Sequence, residues 1–412
     1  MKKHMILAAV AALTLASCAK IDTFETKPVV DENVPIGFTN YAPKSLTKAG
    51  DTYVAGNDLV TGKHFAVYAW STANGSYLTA NPGTPNFMNP ADVTYTGDTM
   101  TGENNTYTPT RFWPSGDTPD NLSFTAYYPY GGAGITAPTF TTGVGTYAFE
   151  AQAAAADMVD FCVADVVNDQ VYGNTNAGSS YKQTVSFTFK HQLTKVQFKF
   201  KKATGLGATT VIELLDAELV GIQKTGTLTA TYTRNASPAV NALGTTATAW
   251  SNQGGSQGYE IFVNSGDNKV NPEYTAPSTI SNPVTLADNA TTTVDNSAIF
   301  LMVPQTMADN TQKLSVTWRV RVYDDATNAG NNNGTGLLSE TINTKTLDFY
   351  DDLTMETWDD PDDSTDELVE RSHNWVKNQF VTYTVTIGPK PIWFTGTVAS
   401  WDAEQNGFFS VQ

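Results

Sequence analysis

Thr184-Val185-Ser186-Phe187-Thr188-Phe189-Lys190-His191-Gln192-Leu193-Thr194-Lys195-Val196-Gln197-Phe198-Lys199-Phe200 is the stretch that decides the fold class. Val185, Phe187 and Phe189 alternate with Ser186, Thr188 and Lys190; after a brief interruption, Val196, Phe198 and Phe200 alternate with Lys195, Gln197 and Lys199. A period of two sends successive side chains to opposite faces of an extended chain, so each run has one apolar and one polar face. Both read as half-buried strands, the signature of antiparallel sheets with one face in water.

The same pattern recurs in both directions. Leu314, Val316, Trp318, Val320 and Val322 alternate with Ser315, Thr317, Arg319 and Arg321, and Val381, Tyr383, Val385 and Ile387 are interleaved with threonines. Upstream, Phe65–Trp70 and Leu122–Tyr128 are aromatic-rich strands separated by long stretches of Asn, Gly, Pro and Thr that read as loops. Helical signal is confined to Ala151–Ala156, enough for one or two turns, because nothing repeats at 3.6 residues over a useful length. The chain of 412 residues is therefore expected to be all-β, with two antiparallel β-sandwich domains rather than one. The glycine- and asparagine-rich loop between Asn168 and Tyr181 is the expected boundary, giving an N-terminal domain over 36–180 and a C-terminal domain over 181–412.

Charge and composition exclude one large class of function. The net charge is −17 and only 16% of residues are charged, so no basic footprint for a phosphate backbone exists and nucleic acid is not an expected partner.

Met1–Cys18 reads MKKHMILAAVAALTLASC, with Lys2 and Lys3 as a charged start, Ile6–Leu15 as an apolar core and Leu15-Ala16-Ser17-Cys18 as a small-residue cleavage site. The apolar stretch is too short to span ~30 Å of hydrocarbon as a permanent helix. Residues 1–17 are expected to be a lipoprotein signal peptide, with Cys18 the lipidated residue and 18–35 an irregular polar tether. At ~0.8 kcal/mol per buried methylene, several acyl chains hold a protein on a membrane essentially permanently. A plain secretory signal that happens to border a cysteine is the alternative.

With Cys18 carrying lipid, Cys162 is the only other cysteine and has no intrachain disulfide partner. Its apolar neighbours in Met158-Val159-Asp160-Phe161-Cys162-Val163 mark it as a buried strand residue rather than a nucleophile. His64, His191 and His373 are far apart in sequence, with no HExxH, HxH or cysteine partner; His191, between two strands, reads as a turn-packing residue. GxSxG is missing, and Gly131-Gly132-Ala133-Gly134 lacks the lysine of a phosphate loop. No catalytic residue, metal or cofactor is expected. The acidic run Trp358–Glu367 resembles calcium chemistry, but starting an EF-hand loop at Asp360 puts Arg371 where the bidentate glutamate belongs. A solvated loop and an occasional calcium site both remain open for it.

Several segments together resemble the fimbrillin family, the pilin and pilin-like lipoproteins of type V pili. They are the lipobox ending at Cys18, Ile36-Gly37-Phe38 followed by Leu46-Thr47-Lys48-Ala49, and Phe112-Trp113-Pro114 leading to Phe124–Pro129. Farther on come Phe189–Val196, Val303-Pro304-Gln305, and Ile392–Trp401. The resemblance implies two transthyretin-like sandwich domains with Greek-key-type connections, export to the cell outer membrane as a surface lipoprotein, and a non-enzymatic role in a fimbrium. It further implies proteolytic removal of an N-terminal strand and polymerisation as another subunit's strand fills the vacated groove. Here that strand is Val34–Tyr41, with Ile36 and Phe38 as its buried residues. No arginine occurs before Arg111, so the expected cuts fall at Lys44 or Lys48. The partners implied are other pilin subunits, the outer membrane through the lipid, and a host or bacterial surface ligand. The segment after Trp401 is either a donor strand or the last strand of its own domain. A second reading, from eight tryptophans and eighteen tyrosines, is a non-polymerising outer-membrane lipoprotein that binds glycans on exposed aromatic platforms.

Overall fold

The computed structural model describes residues 34–41, 53–54, 58–59, 62–72, 83–96, 105–115, 120–170, 184–233, 244–261, 283–286, 299–350, 353–355, 374–389 and 392–400. Within these residues the protein is almost entirely β. The N-terminal part contains β1 (Gly37–Tyr41), β2 (Tyr53–Val54), β3 (Asp58–Leu59), β4 (His64–Thr72), β5 (Met88–Thr94), β6 (Asn121–Tyr128), β7 (Thr139–Thr141), β8 (Val144–Glu150), β9 (Cys162–Ala164) and β10 (Val167–Gln170). Then follow β11 (Thr184–His191), β12 (Thr194–Lys202), β13 (Thr210–Thr233), β14 (Thr245–Glu260), β15 (Val284–Thr285), β16 (Ile299–Met302), β17 (Gln305–Thr306) and β18 (Lys313–Tyr323). The last are β19 (Leu337–Asp348), β20 (Leu353–Met355), β21 (Asn374–Trp375), β22 (Gln379–Ile387) and β23 (Ile392–Ser400). A helix, α1 (Ala326–Asn331), and a single 3₁₀ turn at Ala155–Asp157 complete the described elements.

Three sheets account for most strands. The first runs β1-β11-β9-β6-β4-β5, with β10 on β6; the second runs β19-β18-β13-β8-β7, with β14 and β15 on β13; the third runs β16-β12-β22-β23-β20. Sheet membership crosses position 180 both ways. β11 pairs with β9 and β1 in the first sheet, while β7 and β8, from 139–150, lie in the sheet built on β13.

Most strand pairs are antiparallel, as expected of antiparallel sheets, and three depart from that expectation. β1 runs parallel to β11, β12 parallel to β22, and β20 parallel to β23. Alternation reports only that one face of a strand is buried; it carries no information on the direction of a neighbour to which no hairpin joins it.

Within β4, Phe65-Ala66-Val67-Tyr68-Ala69-Trp70 runs without a polar break and each of these six residues is buried. Its odd residues Phe65, Val67 and Ala69 join an apolar cluster with Phe38, Phe124, Phe187 and Phe189; its even residues Ala66, Tyr68 and Trp70 join a larger one with Tyr127, Tyr147, Phe161 and the β13 side chains. The first sheet is thus covered on both faces, which is what a continuous apolar strand requires. In β12 the polar row is not all in water either: Lys195 is buried, its ammonium 4.9 Å above the Phe380 ring.

The 24-residue β13 changes partners along one edge, from β18 over Thr210–Val220 to β8 over Thr225–Thr231. Gly221 sits at the changeover with φ +76, and a Cβ there would collide with the Thr311 carbonyl. Only glycine takes that left-handed, close-packed position without strain.

Candidate functional site: the groove that holds the first strand

β1 and the residues just before it form an inserted segment rather than an edge strand. Val34, Ile36 and Phe38, at alternate positions, are all buried, Phe38 completely, while Pro35 between them is exposed. On one side β1 pairs in parallel with β11, from Gly37 opposite Thr184 to Tyr41 opposite Thr188.

The other side is closed by residues 105–113. The Ile36 amide donates to the Arg111 carbonyl over 2.9 Å, the Trp113 amide donates to the Val34 carbonyl over 3.0 Å, and Pro35 faces Phe112 in an antiparallel bridge. Proline fits that position because it offers no N–H. Two side chains extend the row where the backbones diverge. The Tyr107 hydroxyl donates to the Ile36 carbonyl at 2.9 Å, and the Asn105 amide donates to the Phe38 carbonyl at 2.6 Å. Burial raises the Tyr107 pKa, which keeps the phenol protonated as a donor. The clamp is itself anchored: Thr106 exchanges both main-chain bonds with Thr94 at the end of β5, and Asn105 Oδ1 accepts from the Thr96 amide at 3.0 Å.

The floor of the groove is aromatic. The Phe38 ring lies 5.3 Å from Tyr107, 5.9 Å from Phe187 and 6.1 Å from Phe124, and Trp113 meets Phe124 at 6.0 Å. Offset and edge-on contacts of this kind each add ~0.5–1.5 kcal/mol beyond area burial. The arrangement recognises an extended chain of a particular type: apolar at three alternate positions, with a free carbonyl at each of the three and a free N–H at the second.

Of the expected site residues, Ile36 and Phe38 are brought together in this groove; Cys18, Lys44 and Lys48 lie outside the described residues, as do the acidic run 358–367, His373 and the segment after Ser400. Cys162 is fully buried and makes no disulfide. Its neighbourhood differs from the expectation that no histidine has a cysteine nearby, because the β9–β11 register sets it opposite His191. His64 is exposed and 2.9 Å from Asp92. Trp70, Trp113, Trp318 and Trp375 are buried, so none of them is a surface platform for a sugar ring. Asn105 and Tyr107 escaped the sequence reading. They lie in a polar stretch, Gly102–Thr110, whose only signal is the nearby Phe112-Trp113-Pro114.

The family model described as Fimbrillin-like matches residues 47–401, and the chain belongs to that family. Among solved structures, the chain is similar to a fimbrial protein from Bacteroides vulgatus at 18% identity, covering 89% of this chain and 99% of that one, with a TM-score of 0.49. It is also similar to a candidate cell adhesion protein from Bacteroides uniformis at 14% identity, covering 90% and 99%, with a TM-score of 0.41. No curated protein matches the chain.

Proposed function

We propose that the protein is a non-enzymatic structural or tip subunit of a cell-surface pilus that contributes to adhesion, and that its first strand is a replaceable plug. In this reading the chain is exported as a lipoprotein anchored at Cys18, cut after Lys44 or Lys48, and joined to other subunits when a donor strand takes the place of Val34–Tyr41. Two transthyretin-like β-sandwich units, with strands contributed to their sheets from both sides of residue 180, would carry the groove and the rest of the subunit.

The observation that carries this is the insertion of β1 between β11 and residues 105–113, with Ile36 and Phe38 buried beneath it. Such a strand, once severed, leaves unpaired N–H and C=O groups above apolar pockets, and an incoming strand satisfies both together. The lysines begin three residues after β1 ends, so a cut there frees the strand's C-terminal side without touching its contacts. Because the donor and the groove are different surfaces, the interface is head-to-tail, the kind that extends into a fibre when the rotation between subunits does not close a ring.

Trypsin treatment of the purified lipid-free precursor tests it. A ladder of oligomers that appears with cleavage is the expected result for a polymerising subunit. A precursor that is cut at Lys44 or Lys48 and stays monomeric at high concentration would remove the polymerisation step.

A further inference from the structure

Asp160, Cys162 and His191 converge where β9 meets β11 in the first sheet, with Cys162 in the same apolar cluster as Ile36 and Phe38. The β9–β11 register puts Cys162 directly opposite His191, and Asp160 lies two residues ahead of Cys162. The two Asp160 oxygens stand 3.0 and 2.9 Å from His191 Nδ1, and Cys162 Sγ stands 3.5 Å from the same nitrogen. All three ligand atoms lie within 4.8 Å of one another, and the residues are 6%, 0% and 1% exposed.

A nucleophilic site would put the thiol and the carboxylate on opposite imidazole nitrogens, so that one is activated while the other orients the ring. Here both face Nδ1, which carries at most one proton and makes one linear hydrogen bond. That geometry does not suit acyl transfer. It does place three donors close enough together to share one ion. With Zn–N near ~2.0 Å and Zn–S near ~2.3 Å, tetrahedral coordination sets nitrogen and sulfur about 3.5 Å apart, the separation observed. The carboxylate needs an outward shift of only about 0.4 Å to reach its tetrahedral distance from the same nitrogen. A thiolate and a carboxylate together carry two negative charges, which a divalent cation neutralises in a site where water cannot. Sulfur and imidazole ligands select a zinc-class ion over calcium or magnesium.

We propose that Asp160, Cys162 and His191 form a buried binding site for a zinc-class divalent cation. The ion would pin β9 to β11, the strand against which β1 lies, and so stiffen one wall of the groove. The site stands on its own geometry and does not depend on polymerisation. Because it is enclosed, it loads as the chain folds.

The test uses the full chain carrying Cys18→Ala, which leaves Cys162 as the only thiol of the two cysteines. The protein is refolded under reducing conditions with a single equivalent of Co²⁺. Expected are a thiolate-to-cobalt charge-transfer band with visible bands of tetrahedral intensity, both abolished by a stoichiometric amount of Zn²⁺, and loss of the charge-transfer band in Cys162→Ser. His191→Ala should lose the tetrahedral bands. A protein that regains its β-sheet circular dichroism with Co²⁺ present yet shows no thiolate–cobalt band overturns the proposal, leaving a hydrogen-bonded Asp160–His191 pair beside an inert thiol. The wild-type Cys162 spectrum decides by itself if the variants fail to fold.

Discussion

Asn105 reaches the main-chain carbonyl of Phe38 with its side-chain amide over 2.6 Å, from 67 residues away in sequence, and it is buried where it does so. The bond is specific to backbone, so it would hold any strand that presents a carbonyl at that place. Through its Oδ1, the same side chain is fixed to the Thr96 amide. Asn105 is therefore a rigid reader of strand position.

Asn105→Ala is expected to weaken the seat of β1 by about 1–3 kcal/mol, because it strands a buried carbonyl, and Tyr107→Phe by about 1 kcal/mol. Hydrogen exchange should localise both losses to residues 34–41. Uniform destabilisation of the whole sheet, with no excess at 34–41, would show that the clamp acts as general packing.

A different kind of loss is expected at Arg319. Glu213 is 2% exposed and accepts from Arg319 Nε at 2.6 Å and from Asn332 Nδ2 at 2.8 Å, with Arg321 Nε 3.9 Å away. Arg319→Ala leaves a buried carboxylate short of its nearest cation, which costs about 3–5 kcal/mol when nothing compensates and less here because Arg321 remains. Glu213→Gln with Arg319→Ala should recover part of that loss in chemical denaturation. No recovery in the double variant would mean that the cost is packing of the arginine stem.

β11 and β12 were legible in the sequence because a half-buried strand writes its two faces directly into the residue order. β4 was legible as a strand, and its unbroken apolar run also announces that it is covered on both sides. The parallel partners were not legible, since Gly37–Tyr41 and Thr184–Thr188 meet only through tertiary closure. Helix α1 has no apolar period at all; it is held by Asp325, whose carboxylate accepts from the Asn328 amide at 2.7 Å, and ends at Asn332 with φ 45. The buried pair Ile36 and Phe38 could be read from alternation. Asn105, Tyr107 and the Asp160–Cys162–His191 convergence could not, because each depends on which strands lie side by side.

Acid should relieve a cost on β13. Burial raises the Asp216 pKa, opposed by a bond from the Ala217 amide; burial also raises that of Glu218, with the Asp216 charge adding to it. A carboxyl whose folded pKa exceeds its unfolded one binds more protons when folded, so its contribution to stability falls as pH rises through that window. Asp216→Asn is therefore expected to be more stable than the parent above the folded pKa, with the gap closing as pH falls to the ordinary carboxylate range. Denaturation midpoints of both proteins between pH 7 and pH 4 check this; a gap that widens on acidification reverses the sign and refutes it.

If Cys18 is the lipid anchor, Cys18→Ala should leave the chain uncleaved or free of the membrane, since the thioether to lipid requires that sulfur. Partition into detergent is the readout. A variant that partitions like the parent is not anchored through Cys18.

The last prediction concerns the hold on the first strand before and after cutting. Burying Ile36 and Phe38 is worth roughly 1.5–3 kcal/mol each, and the clamp bonds from Asn105, Tyr107 and Trp113 add to that. While the chain is continuous, a strand that leaves stays tethered beside its groove and returns quickly, so the precursor should remain monomeric. Cutting after Lys44 or Lys48 removes that tether on the C-terminal side but none of the contacts. The strand then departs at a rate set by the contacts alone, and a donor of similar alternation competes for the groove. Ile36→Asp with Phe38→Asp should erase the apolar part of the hold in the uncut chain, exposing the groove and making the precursor oligomerise without a protease. In the parent, amides 34–41 should exchange far more slowly than the tether before cleavage and faster after it. Exchange at the tether's rate in the uncut parent would mean that β1 is not docked in solution, and strand replacement would lose its starting point.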